Sequence, residues 1–164
     1  MKNLEKLIIN PPKNFIKIGS PFMSFFLLES FVKMGKTDKI IPYIKDNWGK
    51  RMLDKGATTC WEMFDITRSY CHAWSAAPAY FLPAYILGVR PVSAGFSKII
   101  IEPVPGKLKW AKGTIPTPKG NIFVSWKILS SGKISIKSFL PRGVKVLKCA
   151  PSRTRTGATT LKEW

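Results

Sequence analysis

A change of hydrophobic period near Pro91 constrains this chain more than any other feature. Before it, apolar residues follow helical spacing; after it, they alternate. Ser20-Pro21 reads as a helix start, with Ser as N-cap and Pro at the first helical position. The strongly apolar stretch 22–34 follows, with Gly35 as its stop. Thr37 can cap a second helix over 38–48, and the short Gly35-Lys36 link predicts an antiparallel helical hairpin. A further turn over 49–54 ends at Gly56, and 56–70 reads as an irregular loop. A third helix spans 74–87 and closes at Gly88, with Pro78 in its first turn and Pro83 bending or interrupting it. Beyond Pro91, strands are expected over 97–104, 121–129 and 133–137, with Ser130-Ser131-Gly132 as a hairpin turn. The Pro- and Gly-punctuated stretch 106–119 holds one more short strand near 108–111. From Pro151 onward no period is present, and 151–164 reads as an unstructured tail. The fold class is therefore α+β in two parts, helices first and a small antiparallel sheet after them.

Composition narrows the function. With 164 residues, 45% hydrophobic and 22% charged, the chain can bury a core and is not of disordered composition. Its longest apolar stretch, 15–32, is broken by Lys17, Ser20, Pro21, Ser24 and Glu29, so no membrane span is expected. Residues 1–10 lack the apolar run of a secretory signal, which implies a cytoplasmic protein if Met1 is the true start. Cys60, Cys71 and Cys149 give neither a disulfide framework nor a cysteine zinc site. The net charge of +18 is uneven: thirteen bases face seven acids up to Gly95, and fourteen face only Glu102 and Glu163 beyond it. A basic half attracts polyanions, yet no nucleic-acid-binding signature is present, and nucleic acid is not the favoured partner.

One cluster stands out chemically. Glu62 lies on the loop between Trp61 and Phe64, with His72 and Trp74 shortly after. A carboxylate lodged among aromatic faces resists ionisation, which suits acid or base work near neutrality. Flat tryptophan faces also suit the C–H face of a sugar ring. The bland alternative is a structural Glu62 bonded to the amides of Thr58 or Thr59, with the tryptophans as core. His72 is the chain's one histidine, so a histidine-rich metal site is excluded, and a lone histidine is more often structural than catalytic. Ser75-Ala76-Ala77 lacks the glycines of a nucleophile elbow. There is no P-loop, no GxGxxG and no calcium loop, and no cofactor is implied.

Several strings together resemble bacterial α-L-rhamnosidases. They are Ile18-Gly19-Ser20-Pro21-Phe22-Met23-Ser24-Phe25-Phe26-Leu27-Leu28-Glu29, Trp48-Gly49, Met52-Leu53-Asp54, Gly56-Ala57-Thr58-Thr59, Trp61-Glu62 and Phe64-Asp65. His72-Ala73-Trp74-Ser75-Ala76-Ala77-Pro78-Ala79-Tyr80, Leu87-Gly88-Val89-Arg90-Pro91, Leu108-Lys109-Trp110-Ala111-Lys112-Gly113 and Pro116-Thr117-Pro118-Lys119-Gly120 continue the series in order. The resemblance runs from about Ile16 to about Lys148.

It implies the end of an (α/α)₆ barrel over 1–95, an αα-hairpin plus one further helix, then a small antiparallel β-sandwich over 96–150. It implies an inverting hydrolase of terminal α-L-rhamnose that uses two carboxylic residues. Glu62 matches the general base, His72 and Trp74 match sugar-pocket positions, Trp61 is a pocket wall, and Asp65 is carried as a further substrate-binding residue. The implied partners are a rhamnose-containing glycoside and the remaining barrel hairpins. The family's general acid lies upstream in an Asp/Glu-rich segment that this chain lacks, and Asp65 stands too near Glu62 in sequence to replace it. A chain carrying base but no acid is expected to be inactive alone. After Lys148 the sequence departs from the family's closing strand. Helix 22–34 is too apolar for so small a helical layer, so the chain reads as a piece of something larger. The runner-up is a non-catalytic carbohydrate- or partner-binding module.

Overall fold

The computed structural model describes residues 11–15, 18–65, 68–147 and 160–163, the last of these as backbone. The chain divides into two compact units that interleave in sequence, residues up to 30 with 45–77, and 31–44 with 78–164. Among the described residues, no helix is long and apolar enough to cross a membrane.

Helix α1 (Pro21–Lys33) begins and ends as its sequence dictates. The Met23 amide donates to Ser20 Oγ at 3.2 Å, the N-cap bond. At the other end Gly35 takes φ +68°. The Gly35 and Lys36 amides donate to the carbonyls of Val32 and Phe31 at 3.0 and 2.7 Å, the pair of bonds that closes a Schellman motif. Ser24, Leu27, Leu28 and Phe31 are buried, while Phe22, Met23 and Phe26 stay 43–48% exposed. That exposed stripe matches the excess of apolar residues legible in the sequence.

The second helical segment is less regular than expected. It opens as a 3₁₀ turn (Thr37–Lys39), becomes helix α2 (Ile40–Ile44), and widens to a π turn (Lys45–Gly49). Thr37 makes no side-chain cap; it lies inside the turn it was expected to precede. Pro42 supplies no amide for the ladder, which favours the irregular geometry on either side of it. The third segment behaves alike: a 3₁₀ turn (Ala73–Ser75), helix α3 (Ala77–Phe81), then a π turn (Leu82–Ile86) containing Pro83. The Leu87 amide reaches five residues back to Leu82, at 2.9 Å.

Seven strands follow among the described residues. β1 (Val89–Pro91), β2 (Lys98–Ile101) and β6 (Lys145–Val146) form one sheet in the order β1-β2-β6. β3 (Trp110–Thr117), β4 (Gly120–Ile128), β5 (Ile134–Phe139) and β7 (Thr160–Glu163) form a second, in that order. The neighbouring pairs β1–β2, β3–β4 and β4–β5 are antiparallel, while the pairings of β6 and β7 are parallel. The expected hairpin turn at Ser130-Ser131-Gly132 is present, with the Leu129 amide bonded to Lys133 O at 2.8 Å. The strand expected near 108–111 instead runs to Thr117, passing through Pro116. An edge strand tolerates that proline because one row of its backbone groups has no partner strand.

Part of the segment expected as an unstructured tail is also a strand: β7 lies beside β5, with Ser135 opposite Thr160. Residues 148–159 and 164 lie outside the described residues, as do 1–10 at the start.

Alternation decides which sheet face is inner. Ile122, Val124 and Trp126 of β4 are buried with Ile134 and Ile136 of β5, in one cluster with Ile99 and Ile101 of β2. Ile86 and Leu87 belong to the same core, and the Trp126 indole donates to the Ile86 carbonyl at 2.8 Å, fully buried. Gly88 makes this junction possible. It takes φ +83°, and a Cβ there would lie 2.1 Å from the Pro103 nitrogen. Gly88→Ala is therefore expected to cost upward of about 2 kcal/mol, from left-handed backbone strain and overlap with the backbone. Urea unfolding of the variant beside the parent chain measures that loss directly.

Candidate functional site

The loop bearing Glu62 is held by backbone hydrogen bonds on both sides. The His72 amide donates to Cys60 O at 2.8 Å, and the Glu62 amide donates to Ser69 O at 3.0 Å. Thr59 Oγ1 adds a bond to the Tyr70 carbonyl. The segment 59–62 thus lies against 69–72, which brings the Trp61-Glu62 string beside the one that starts at His72. The Phe64 amide reaches the Gly19 carbonyl at 3.3 Å, and the Phe64 ring is fully buried edge-on to Trp48, 5.1 Å between centroids. Trp48 in turn donates its indole N–H to Ser75 O at 2.8 Å. This buried chain of contacts fixes both ends of the loop.

The candidate residues separate into groups. His72 and Trp74 stack at 4.3 Å with a 37° tilt, and Trp74 also meets Phe22 at 5.5 Å. Trp74 remains 53% exposed, so part of its indole is open to solvent. Trp61 stands edge-on to Tyr70 at 5.5 Å. Glu62 is half-buried. Among the described residues, no hydrogen bond or ion pair engages its carboxylate, so the expected alternative of bonds to Thr58 or Thr59 is not what the structure holds.

Asp65 is exposed and committed to Arg51. Arg51 Nε donates to Asp65 Oδ1 at 3.1 Å and a terminal nitrogen pairs with Oδ2. The same guanidinium lies 4.7 Å over the Phe64 ring and bonds Asn47 at 2.9 Å. A carboxylate holding two arginine bonds keeps acceptor capacity for a further hydroxyl. Arg51, Tyr70 and Phe22 are thus neighbours of the candidates that sequence reasoning passed over. Arg51 and Phe22 lie more than ten positions from the candidates they touch, Asp65 and Trp74, a separation that no local period reports.

Two buried polar atoms have no partner among the described residues: His72 Nδ1 and Ser75 Oγ. Also among the described residues, no three His, Cys, Asp or Glu side chains gather as a metal site requires.

Comparison with known proteins identifies the family. Residues 17–86 match the model of the bacterial alpha-L-rhamnosidase 6 hairpin glycosidase domain, and 88–163 that of the bacterial alpha-L-rhamnosidase C-terminal domain. The chain belongs to the bacterial α-L-rhamnosidase family. It is 33% identical to an alpha-L-rhamnosidase of Alteromonas sp. (strain LOR), over 90% of this chain and 18% of that protein. A GH78 family rhamnosidase from Bacillus sp. GL1 superposes with a TM-score of 0.83 at 39% identity, covering 99% of this chain and 18% of that one. The Streptomyces avermitilis alpha-L-rhamnosidase complexed with L-rhamnose superposes with a TM-score of 0.63 at 26% identity, over 73% of this chain and 13% of the other. The chain thus spans 13–18% of the length of these relatives. Its helices and sheets are the end of the helical barrel and the small β domain. The C-terminal match continues to residue 163, through β7, so the sequence after Lys148 does not leave the family as expected.

Trp48→Phe removes the donor to the buried Ser75 carbonyl. Its expected cost is about 1–3 kcal/mol, with faster amide exchange at Ser75 and Ala76. Chemical unfolding and hydrogen exchange measure the two effects.

Proposed function

We propose that this chain supplies the general base and one wall of the sugar pocket to an inverting α-L-rhamnosidase. The supporting observation is the pairing of segment 59–62 with 69–72, which sets the Glu62 string beside the His72 string across a ten-residue gap. Family membership and the exposure of Trp74 support the same reading.

In the proposed reaction Glu62 takes a proton from water as that water bonds to the anomeric carbon. The glycosidic C–O bond breaks on the opposite face, and a carboxylic acid outside residues 1–164 protonates the leaving oxygen. Inversion needs the two carboxyl groups roughly 6.5–9.5 Å apart, so that the water fits between base and sugar. Trp74 and Trp61 offer apolar faces to the ring, and His72 and Asp65 offer polar contacts to its hydroxyls. Residues 17–86 are read as closing helices of the barrel and 88–163 as the C-terminal β domain; the boundary expected after residue 95 moves to Gly88 because β1 pairs with β2. Without acid and remaining hairpins, the chain alone should not turn over substrate, because acid catalysis and substrate positioning are both lost.

A chimera tests this reading, with the chain replacing the matching stretch of the Bacillus sp. GL1 rhamnosidase. The chimera should hydrolyse an aryl α-L-rhamnoside, and Glu62→Gln should lower kcat by about 10²–10⁴-fold. L-rhamnose affinity by calorimetry should change little in the same variant. Equal turnover of both chimeras would overturn the assignment of Glu62.

A further inference from the structure

The outer face of the β3-β4-β5 sheet carries a pattern that the Glu62 site does not use. Trp110, Lys127 and Ser135 stand side by side across the three strands, and Lys112, Ser125 and Lys137 form the next row. Neighbouring strands lie about 4.8 Å apart and alternate residues about 6.8 Å apart, so these side chains share a patch about the size of a monosaccharide or disaccharide. They line a shallow groove of about 250 Å³. Trp110 is 60% exposed. Among the described residues, no ring or cation stacks on its indole, and no carboxylate pairs with Lys112 or Lys127. Among the described residues, no acidic side chain lines the groove. An exposed tryptophan beside unneutralised lysines gains nothing for folding, since like charges on one sheet face repel each other.

We infer that this groove is a second, non-catalytic sugar site that takes a glycan residue bearing an anionic group, a uronate carboxylate or a sulfate ester. The Trp110 face receives the C–H face of the ring, Lys112 and Lys127 meet the anion, and the hydroxyls of Ser125 and Ser135 are placed to bond ring hydroxyls. The choice of a sugar over a nucleic acid rests on the function proposed above. It also rests on Trp110 being the one exposed indole among the described residues of the groove, Trp126 being buried, because single-strand binders use successive aromatic platforms. Phe123 and Phe139 project from the same face, one row beyond Lys112 and Lys137, and do not line the groove.

Calorimetry on the 164-residue chain tests the site with four probes: a galacturonate hexamer, a sulfated dextran hexamer, maltohexaose and the oligonucleotide dT6. One or both anionic sugars should bind, and maltohexaose should bind far more weakly. Binding of the galacturonate alone assigns a uronate, and binding of the sulfated sugar alone a sulfate ester. Trp110→Ala should weaken binding about tenfold. Lys112→Gln and Lys127→Gln should each weaken it roughly threefold and flatten its salt dependence. Lys98→Gln, an exposed lysine on the other sheet, should change nothing. All four positions face solvent, so circular dichroism should match the parent chain. Tighter binding of dT6 than of either sugar overturns the inference in favour of nucleic acid. Equal binding of every anion without dependence on Trp110 overturns it in favour of diffuse charge, and silence from both anionic sugars overturns it outright. L-rhamnose is neutral and the proposed function is read as turnover at Glu62, so failure at one site leaves the other result standing.

Discussion

The buried hydrogen bond from the Trp126 indole to the Ile86 carbonyl is the constraint on which the β unit depends. A sheet with one apolar face needs a cover, and here the cover is the end of a helical segment. Ile86 and Leu87 enter the same core as Ile122, Val124 and Ile136. The π turn over 82–86 leaves the Ile86 carbonyl outside the regular helical ladder, and the indole satisfies it. The left-handed Gly88 then turns the chain into β1 at once. A single irregular turn therefore satisfies a buried carbonyl, seals a core and redirects the backbone.

Much of this was legible in the sequence because the relevant physics is local. Ser20 and Gly35 mark the two ends of α1 through caps that need only neighbouring atoms. The alternation of β4 and β5 follows from one face being buried. What the sequence hid depends on distant partners. Pro83 announces trouble in its helix, but not that the backbone answers, there and beyond Pro42, with wide turns rather than breaks. Pro116 argues against a strand unless its position at the sheet edge is known, and that position comes from the register with β4. The parallel pairing of β7 joins residues more than twenty positions apart, so periodicity could not report it.

The candidate site shows the same division. Glu62, His72 and Trp74 were legible as a cluster because aromatic and ionisable residues crowd one short stretch. Their mutual placement was not, because it comes from backbone bonds between 60 and 72 and between 62 and 69. Arg51 was invisible. It holds Asp65 while lying over Phe64, and so ties the loop to the segment that carries Trp48. The rigid element behind the loop is a buried aromatic pair, Trp48 and Phe64, rather than a strand or a long helix. Packing of this kind holds a loop in one shape while leaving its tip free to carry chemistry.

Pro116 has a consequence beyond its own strand. β3 is an outer strand of its sheet, and a row of free amides and carbonyls along such an edge is a template for a foreign strand. A proline near the end of that row removes one donor and puts a rigid ring where an incoming backbone would have to lie. A neighbouring molecule can therefore match only part of β3 before its register fails. The residue that made this segment hard to read as a strand also guards the sheet against growing into fibrils.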